Sequence, residues 1–565
     1  MFSRRRFLRY SAAAAGSLWM STAVSGCKGL PRRSSLSAAR FEHGVASGDP
    51  LADAVVLWTR AVPQAGDAAG VKLGWELAAD PGFERILRGG EVSTDRARDY
   101  TVKIDVRELD AGRDYYYRFY TATSESPVGR ARTLPSGRVE QLRMAVFSCS
   151  NYPAGYFHPY AEASRLENLD VWLHLGDYIY EYGSGGYATE RAAELGRDFA
   201  ADNSGELLTL DDYRRRYALY RSDPDLQAMH AAAPCIAVWD DHEIANDTWR
   251  EGAQNHSPEE GDFALRRDAA VQAYFEWLPI RPLVPDASGA IYRGFDFGDL
   301  VSLHMLDTRL IGRDRQLEYA EFIDPDSGAM DVTTLGRELR DPGRSLLGDA
   351  QRDWLRQRFA SSPGRWQVLG QQVLMARMVL PGEMLRSLFA GGGYERSEAL
   401  IRELAELKAA AAAGQTLAEG DLRRLRTALP YNLDAWDGYP AEREQVYAAA
   451  RDAGRSLVVL AGDTHNAWYS RLRAADGALV GVELGTSSVS SPGMESYLRL
   501  DAAQASALAR SMPLLIDELD WCELHSRGFL EVRFTPEEAH ATWHFVDGVQ
   551  QRDYRVSRHE QRISA

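Results

Sequence analysis

The sequence predicts two joined parts, a small all-β sandwich followed by an α/β sheet domain. Three observations predict it. Residues 41 to 135 hold short apolar or alternating runs separated by turn residues. From residue 140 onward, strand-length apolar runs alternate with helical stretches. The 565 residues are also too many for one small domain.

The first element is a leader. Ser3-Arg4-Arg5-Arg6-Phe7-Leu8 sets arginines before an alanine-rich stretch, Leu8 to Val24, that is too short to span a bilayer. It resembles a twin-arginine signal, which implies a partner export machinery that carries folded proteins. Val24-Ser25-Gly26-Cys27 resembles a lipobox, which implies cleavage before Cys27 and lipidation of its thiol. Ordinary signal-peptidase cleavage nearby is the alternative. Residues 1–27 are thus expected to be a leader, and the mature protein to be exported, periplasmic or extracellular. No later run is long and apolar enough for a span, so a lipid on Cys27 is the expected route to a membrane.

Residues 41–135 read as the β-sandwich. Ala54 to Thr59 and Val71 to Leu77 are short strands, Asp80-Pro81-Gly82 is a turn, Tyr100 to Val106 alternates with period two, and Tyr115 to Tyr120 follows Asp110-Ala111-Gly112. Residues 140–555 read as the α/β domain. Its strands are Met144 to Phe147, Val171 to Leu175, Ile236 to Trp239, Val301 to Leu306, Trp366 to Leu369 and Leu457 to Leu460. Gln351 to Phe359 and Ser397 to Ala413 are helical, and the latter reads as a surface insertion, as does Gly183 to Asp211. Neither insertion carries a visible site.

Composition narrows the function. Hydrophobic content of 45% and charged content of 26% are ordinary for a globular chain, and a net charge of -16 argues against binding duplex nucleic acid. Four cysteines, Cys27, Cys149, Cys235 and Cys522, are too few for a disulfide framework. With Cys27 lipidated at least one thiol stays unpaired, and in an oxidising compartment it needs burial or a metal.

Nearly every apolar run ends in groups that bind metals or anions. These ends are Ser148-Cys149-Ser150-Asn151, Gly176-Asp177-Tyr178-Ile179-Tyr180, Asp240-Asp241-His242-Glu243 with Asn246-Asp247, Asp307-Thr308-Arg309, and Gly462-Asp463-Thr464-His465. Ligands of open α/β sheets bind beyond the carboxyl ends of strands, so these segments converge on one crevice. Two carboxylate charges a few ångströms apart repel by about 4 kcal/mol at an effective dielectric near 20, so protons or cations must gather there. Singly, each piece has a plain explanation: a helix-capping Asp, a packed Tyr, a small buried Cys, a structural His. Four ionisable residues directly after one strand do not.

The same segments resemble the PhoD-like alkaline phosphatase and phosphodiesterase family of calcineurin-like metallophosphoesterases. The resemblance starts at Phe41 to Pro50 with Leu57-Trp58-Thr59-Arg60, runs through the strand ends above, and includes Asn432 to Tyr439 and Ser487 to Pro492. It implies a two-sheet α/β sandwich with flanking helices as the catalytic fold. It implies one ferric iron and two calcium ions, with zinc or manganese standing behind them. Cys149, Asp177 and Tyr180 are implied around iron, Asp177 bridging. Asp241, Asn246, Asp463 and His465 complete the shell, and Asn246-Asp247-Thr248 matches the family pattern only approximately. Hard oxygen donors suit calcium, and thiolate and phenolate suit a more highly charged ion.

The implied reaction is hydrolysis of small or lipid-derived phosphate esters by a metal-bound oxide or hydroxide. Besides Asp177, two residues are expected in catalytic roles. Arg309 is expected to clamp phosphate or to pair with Asp307, and His242 to assist proton transfer or to orient Asp241. A phospholipase D-like action on diesters is the nearest alternative. A non-catalytic phosphate- or calcium-binding lipoprotein is the alternative of another class. Ser487-Ser488 and Ser490-Ser491 lack a nucleophile elbow and read as a turn.

Overall fold

The computed structural model describes residues 33–64, 70–281, 290–388 and 393–565. The arginine-led leader, the lipobox and Cys27 lie outside the described residues.

Two large sheets pack face to face. The first has nine strands; at its centre Leu142–Phe147, Val171–His174 and Cys235–Ala237 run parallel. Arg527–Phe534, Glu538–Val546 and Val556–Ser564 extend it on one side as an antiparallel meander. The second sheet has seven strands; Val301–Met305, Trp366–Gly370, Ser456–Ala461 and Leu479–Gly485 are its parallel core. The strands Val171–His174, Val301–Met305 and Trp366–Gly370 are buried at every position, so their polar members are paired inside: Ser302 Oγ donates to Asp296 (2.7 Å), and His304 and Gln367 hydrogen-bond each other (2.8 Å). Met144, Val146 and Leu173 of one sheet and Leu303, Val368 and Val458 of the other share one core. Each such side chain contributes about 1.5–3 kcal/mol on burial. Helices Gly348–Ser361 and Pro440–Ala453 cover the outer face of the seven-stranded sheet.

The N-terminal β part is a sandwich, and one of its layers belongs to the larger sheet. Its four-stranded layer contains Ile86–Thr94, Val71–Ala78, Asp114–Tyr120 and Gly129–Arg132. The facing strands Val45–Gly48, Val55–Arg60 and Thr101–Val106 continue the nine-stranded sheet, joined through the pair Gly48–Cys235. Val55, Leu57 and Ile104 meet Leu73, Leu77 and Phe119 in the core between the layers.

Cys149, Cys235 and Cys522 are free thiols, and all three are buried. Among the described residues, no helix is long and apolar enough to cross a membrane.

Candidate metal centre

Each residue of the crevice stands just beyond a buried strand. Cys149 follows Leu142–Phe147, Asp177 follows Val171–His174, Asp240 and Asp241 follow Cys235–Ala237, Arg309 follows Val301–Met305, and Asp463 and His465 follow Ser456–Ala461. The chain must turn sharply to aim these side chains between the sheets. Cys149 (φ 61°), Asp177 (57°), Asp463 (64°) and His465 (63°) are all left-handed. For residues other than glycine this costs on the order of 1–2 kcal/mol each and persists where surrounding bonds impose it.

Those bonds are present. The Cys149 N–H donates to Gly176 O (3.1 Å) and the Ser150 N–H to Asp177 O (2.8 Å). Ser491 Oγ donates to Cys149 O (3.0 Å), and the Asp463 N–H donates across the sheets to Ser148 Oγ (3.2 Å). Glu243 ties two loops together by accepting from the N–H groups of Asp177 (3.1 Å), Tyr178 (2.5 Å) and Asp240 (2.7 Å). Gly176 has φ +114°, and a Cβ there would lie 2.4 Å from that of Asp240, so only glycine fits.

The side chains form three adjoining triads, in each of which one ligand atom per residue lies within 4.8 Å of the others: Cys149, Asp177 and His465; Asp177, Asp241 and His242; Asp240, Asp241 and Asp463. Asp177 belongs to the first two triads and Asp241 to the last two. Tyr180 joins the first, its hydroxyl 3.1 Å from Asp177 Oδ2, 3.2 Å from His465 Nε2 and 2.7 Å from Ser491 Oγ. Pro492 O accepts from His465 Nδ1 (2.7 Å), which assigns that nitrogen the proton and leaves Nε2 free for a ligand. Glu181 accepts from His242 Nδ1 (2.7 Å) and from the N–H of Asn246 (2.8 Å), fixing both.

Electrostatics show a site short of positive charge. Burial, reinforced by neighbouring carboxylates, pushes Asp463 well above the ordinary carboxylate range. Burial also raises Asp177, reinforced by Asp241 and Asp240 against the opposing charge of His242. Burial lifts Asp240 to about 6, and burial with the Asp434 charge lifts Asp247 to about 7. At Asp241 burial is outweighed by the charges of Arg309 and His242, and its pKa is lowered. Burial and the Asp177 charge raise the Cys149 thiol and the Tyr180 phenol. Cys149, Tyr180, Asp177 and Asp463 would therefore hold protons unless cations compensate them. Asp177 Oδ1 is buried with no hydrogen-bond partner, an orphan that a cation would satisfy. The donors suit the implied ions: thiol, phenol and imidazole at one end, only carboxylates at the other.

The structure brings Cys149, Asp177, Tyr180, Asp241, His242, Asp463 and His465 together. Asn246 sits beside them, its N–H held by Glu181 (2.8 Å) and its side-chain amide donating to Gln254 (3.0 Å). Arg309 pairs with neither a free space nor the Asp307 carboxylate through its guanidinium. It is fully buried, donates through Nε to Asp240, and grips Asp434 with both terminal nitrogens (2.9 Å each). Asp307 instead caps the N–H groups of Arg309 (3.0 Å) and Leu310 (2.9 Å).

Several contributors escape sequence reading. Asp240 was legible only as one of a run, and Asp434 only as part of the stretch Asn432 to Tyr439, with nothing to tie it to Arg309, 125 positions away. The segment Gly183 to Asp211, expected to carry no site, brings Tyr187 to His465 Nδ1 (3.2 Å) and Pro492 O (2.9 Å).

Comparison with known proteins agrees with this geometry. The PhoD-like phosphatase family profile matches residues 144–543, and that of the PhoD-like phosphatase N-terminal domain matches residues 26–135. Alkaline phosphatase D of Bacillus subtilis (strain 168) is 35% identical over 525 residues, covering 89% of this chain and 79% of the relative. The solved structure of PhoD superposes with a TM-score of 0.71 at 31% identity, covering 92% of this chain and 89% of that one.

Proposed function

From the membership of this chain in the PhoD-like phosphatase family, we propose that it hydrolyses phosphate esters at the cluster centred on Asp177, with one ferric iron and two calcium ions as cofactors. The observation that carries this reading is the orphaned Asp177 Oδ1 at the junction of two triads. Cys149, Tyr180, His465 and Asp177 would hold the iron; Asp240, Asp241, Asp463 and, at the rim, Asn246 would hold calcium. The cations supply Lewis acidity, neutralising phosphate charge and making water acidic at neutral pH.

The remaining steps fall to side chains of this chain. His242, held through Nδ1 by Glu181, is favoured in its protonated form by that carboxylate against the opposing effect of burial. Its other nitrogen then carries a proton for the leaving oxygen. Arg309, paired with Asp240 and Asp434, orders the carboxylates. Its terminal nitrogen lies 3.7 Å from oxygens of both Asp241 and Asp463. The leader that resembles a twin-arginine signal supports export with cations already loaded, and the lipobox supports attachment through Cys27.

Metal analysis of protein from an exporting host, alongside hydrolysis of p-nitrophenyl phosphate and its bis-ester, tests the proposal. We expect about one iron and two calcium per chain, and turnover that Asp177→Asn abolishes together with metal retention. Undiminished turnover in that variant, or a fully loaded wild type with none, would refute it. The ratio of mono- to diester rates decides between a phosphomonoesterase and a phospholipase D-like enzyme.

A further inference from the structure

Beside the cluster stand tyrosines that the phosphate chemistry does not use. Tyr187 hydrogen-bonds His465 and Pro492, and its ring lies 6.2 Å from that of His465 at 29°. Tyr497, at the end of the short helix Met494–Tyr497, lies nearly parallel to Tyr187, with ring centres 6.4 Å apart, planes at 10° and hydroxyls 3.4 Å apart. The ring of Tyr182 is 5.9 Å from Tyr187 and 5.4 Å from His242. Exposure rises along the series: Tyr180 is 1% exposed, Tyr187 partly buried and Tyr497 64% exposed. The rings therefore mark a path from cluster to solvent. Asp463, whose side chain is 18% exposed, lies close to the same path, and its charge acts on both Tyr431 and Tyr497.

Resting on the phosphate-ester reading above, we propose that Tyr187 and Tyr497 form a stacking platform for the organic group of the substrate, so that preferred esters carry a flat, π-faced group such as an aryl ring or a nucleobase. An aromatic side chain largely open to water beside the cluster proposed to bind phosphate is placed to contact whatever is esterified to it. Near-parallel planes build a platform and not a cage of converging faces, which sets a flat ring ahead of a quaternary ammonium. A compact alkyl group gains little from such a surface. The outward position of Tyr497 means that its ring can be removed without opening the core.

Calorimetric binding of phenylphosphonate and methylphosphonate to the metal-loaded protein reads the platform without needing turnover. Wild type should favour the phenyl compound, and Tyr497→Ala should lower the phenyl-to-methyl affinity ratio about tenfold, while Tyr497→Phe keeps it. Equal affinities in the wild type, an unchanged ratio in Tyr497→Ala, or tighter binding of phosphocholine than of phenylphosphonate would overturn the platform. Phenyl preference in a protein that hydrolyses no phosphate ester would sustain the platform and sink the hydrolytic reading.

Discussion

At the scale of single residues, the buried guanidinium of Arg309 ties together carboxylates from three segments of the chain. A fully buried cation is costly unless counter-charges surround it, and Asp240 and Asp434 do so here, accepting from Nε and one terminal nitrogen, with Arg313 donating to the same Asp434. Removing one partner leaves two buried arginines short of their counter-charge. Asp434→Ala should therefore lower unfolding stability by about 3–5 kcal/mol, and Asp434→Asn by less. Urea unfolding of the chelated proteins measures this; a wild-type midpoint in Asp434→Ala would show that the pair organises nothing. What was legible at this scale follows a simple line. Asp240-Asp241-His242-Glu243 announced itself because four ionisable groups cannot be packed as core. Asp434 was marked only by the resemblance of Asn432 to Tyr439, and Tyr187 by nothing, because an isolated Asp or Tyr in a loop has the same local pattern whether it faces water or a site.

Strand ends did most of the placing among the elements. The apolar runs were readable because a strand buried on both faces is mostly apolar, and their polar termini followed from the parallel sheet. The mate of each strand was not readable: period two says which face is buried and nothing about which neighbour pairs, so the shared layer of the N-terminal sandwich had no mark in the sequence. Turn geometry yields a further test. Gly176 and Gly185 both have positive φ, +114° and +80°, yet an added Cβ meets the Asp240 backbone in one case and open space in the other. Gly185→Ala should cost only the strain of its backbone, about 1 kcal/mol. Gly176→Ala must also displace Asp240, and should lose soluble expression or metal retention. Equal soluble yields and metal contents for the two variants would mean that the crevice is more yielding than its packing suggests.

For the whole molecule, protons and cations compete for the same acidic centre, and the direction of that competition can be worked out. Without cations, burial raises Asp240 to about 6, Asp247 to about 7 and Glu243 to about 8, against ordinary values near 4 in the unfolded chain. The unfolded chain therefore ionises first as pH rises. The stability these groups contribute is complete below their unfolded pKa and is lost as pH climbs through their folded ones, at about 1.4 kcal/mol per pH unit for each group while it titrates. Buried neutral histidines act in the opposite sense. His43 and His304 are held near 3 and 4, chiefly by burial, so their contribution is whole above 6.5 and falls away in acid. They lie apart from the donor triads, so they act alike in loaded and chelated protein and cancel in the difference between the two. Bound cations replace the protons on the acidic centre, so their stabilising effect must grow with pH. We expect the gap in melting temperature between calcium- and iron-loaded protein and chelated protein to widen steadily from pH 5.5 to 8.5, and proton release on metal binding to shrink over the same range. A gap that stays constant, with no proton release at pH 6, would mean that the carboxylates are already ionised without cations and that the centre is held by Arg309 and His242 alone.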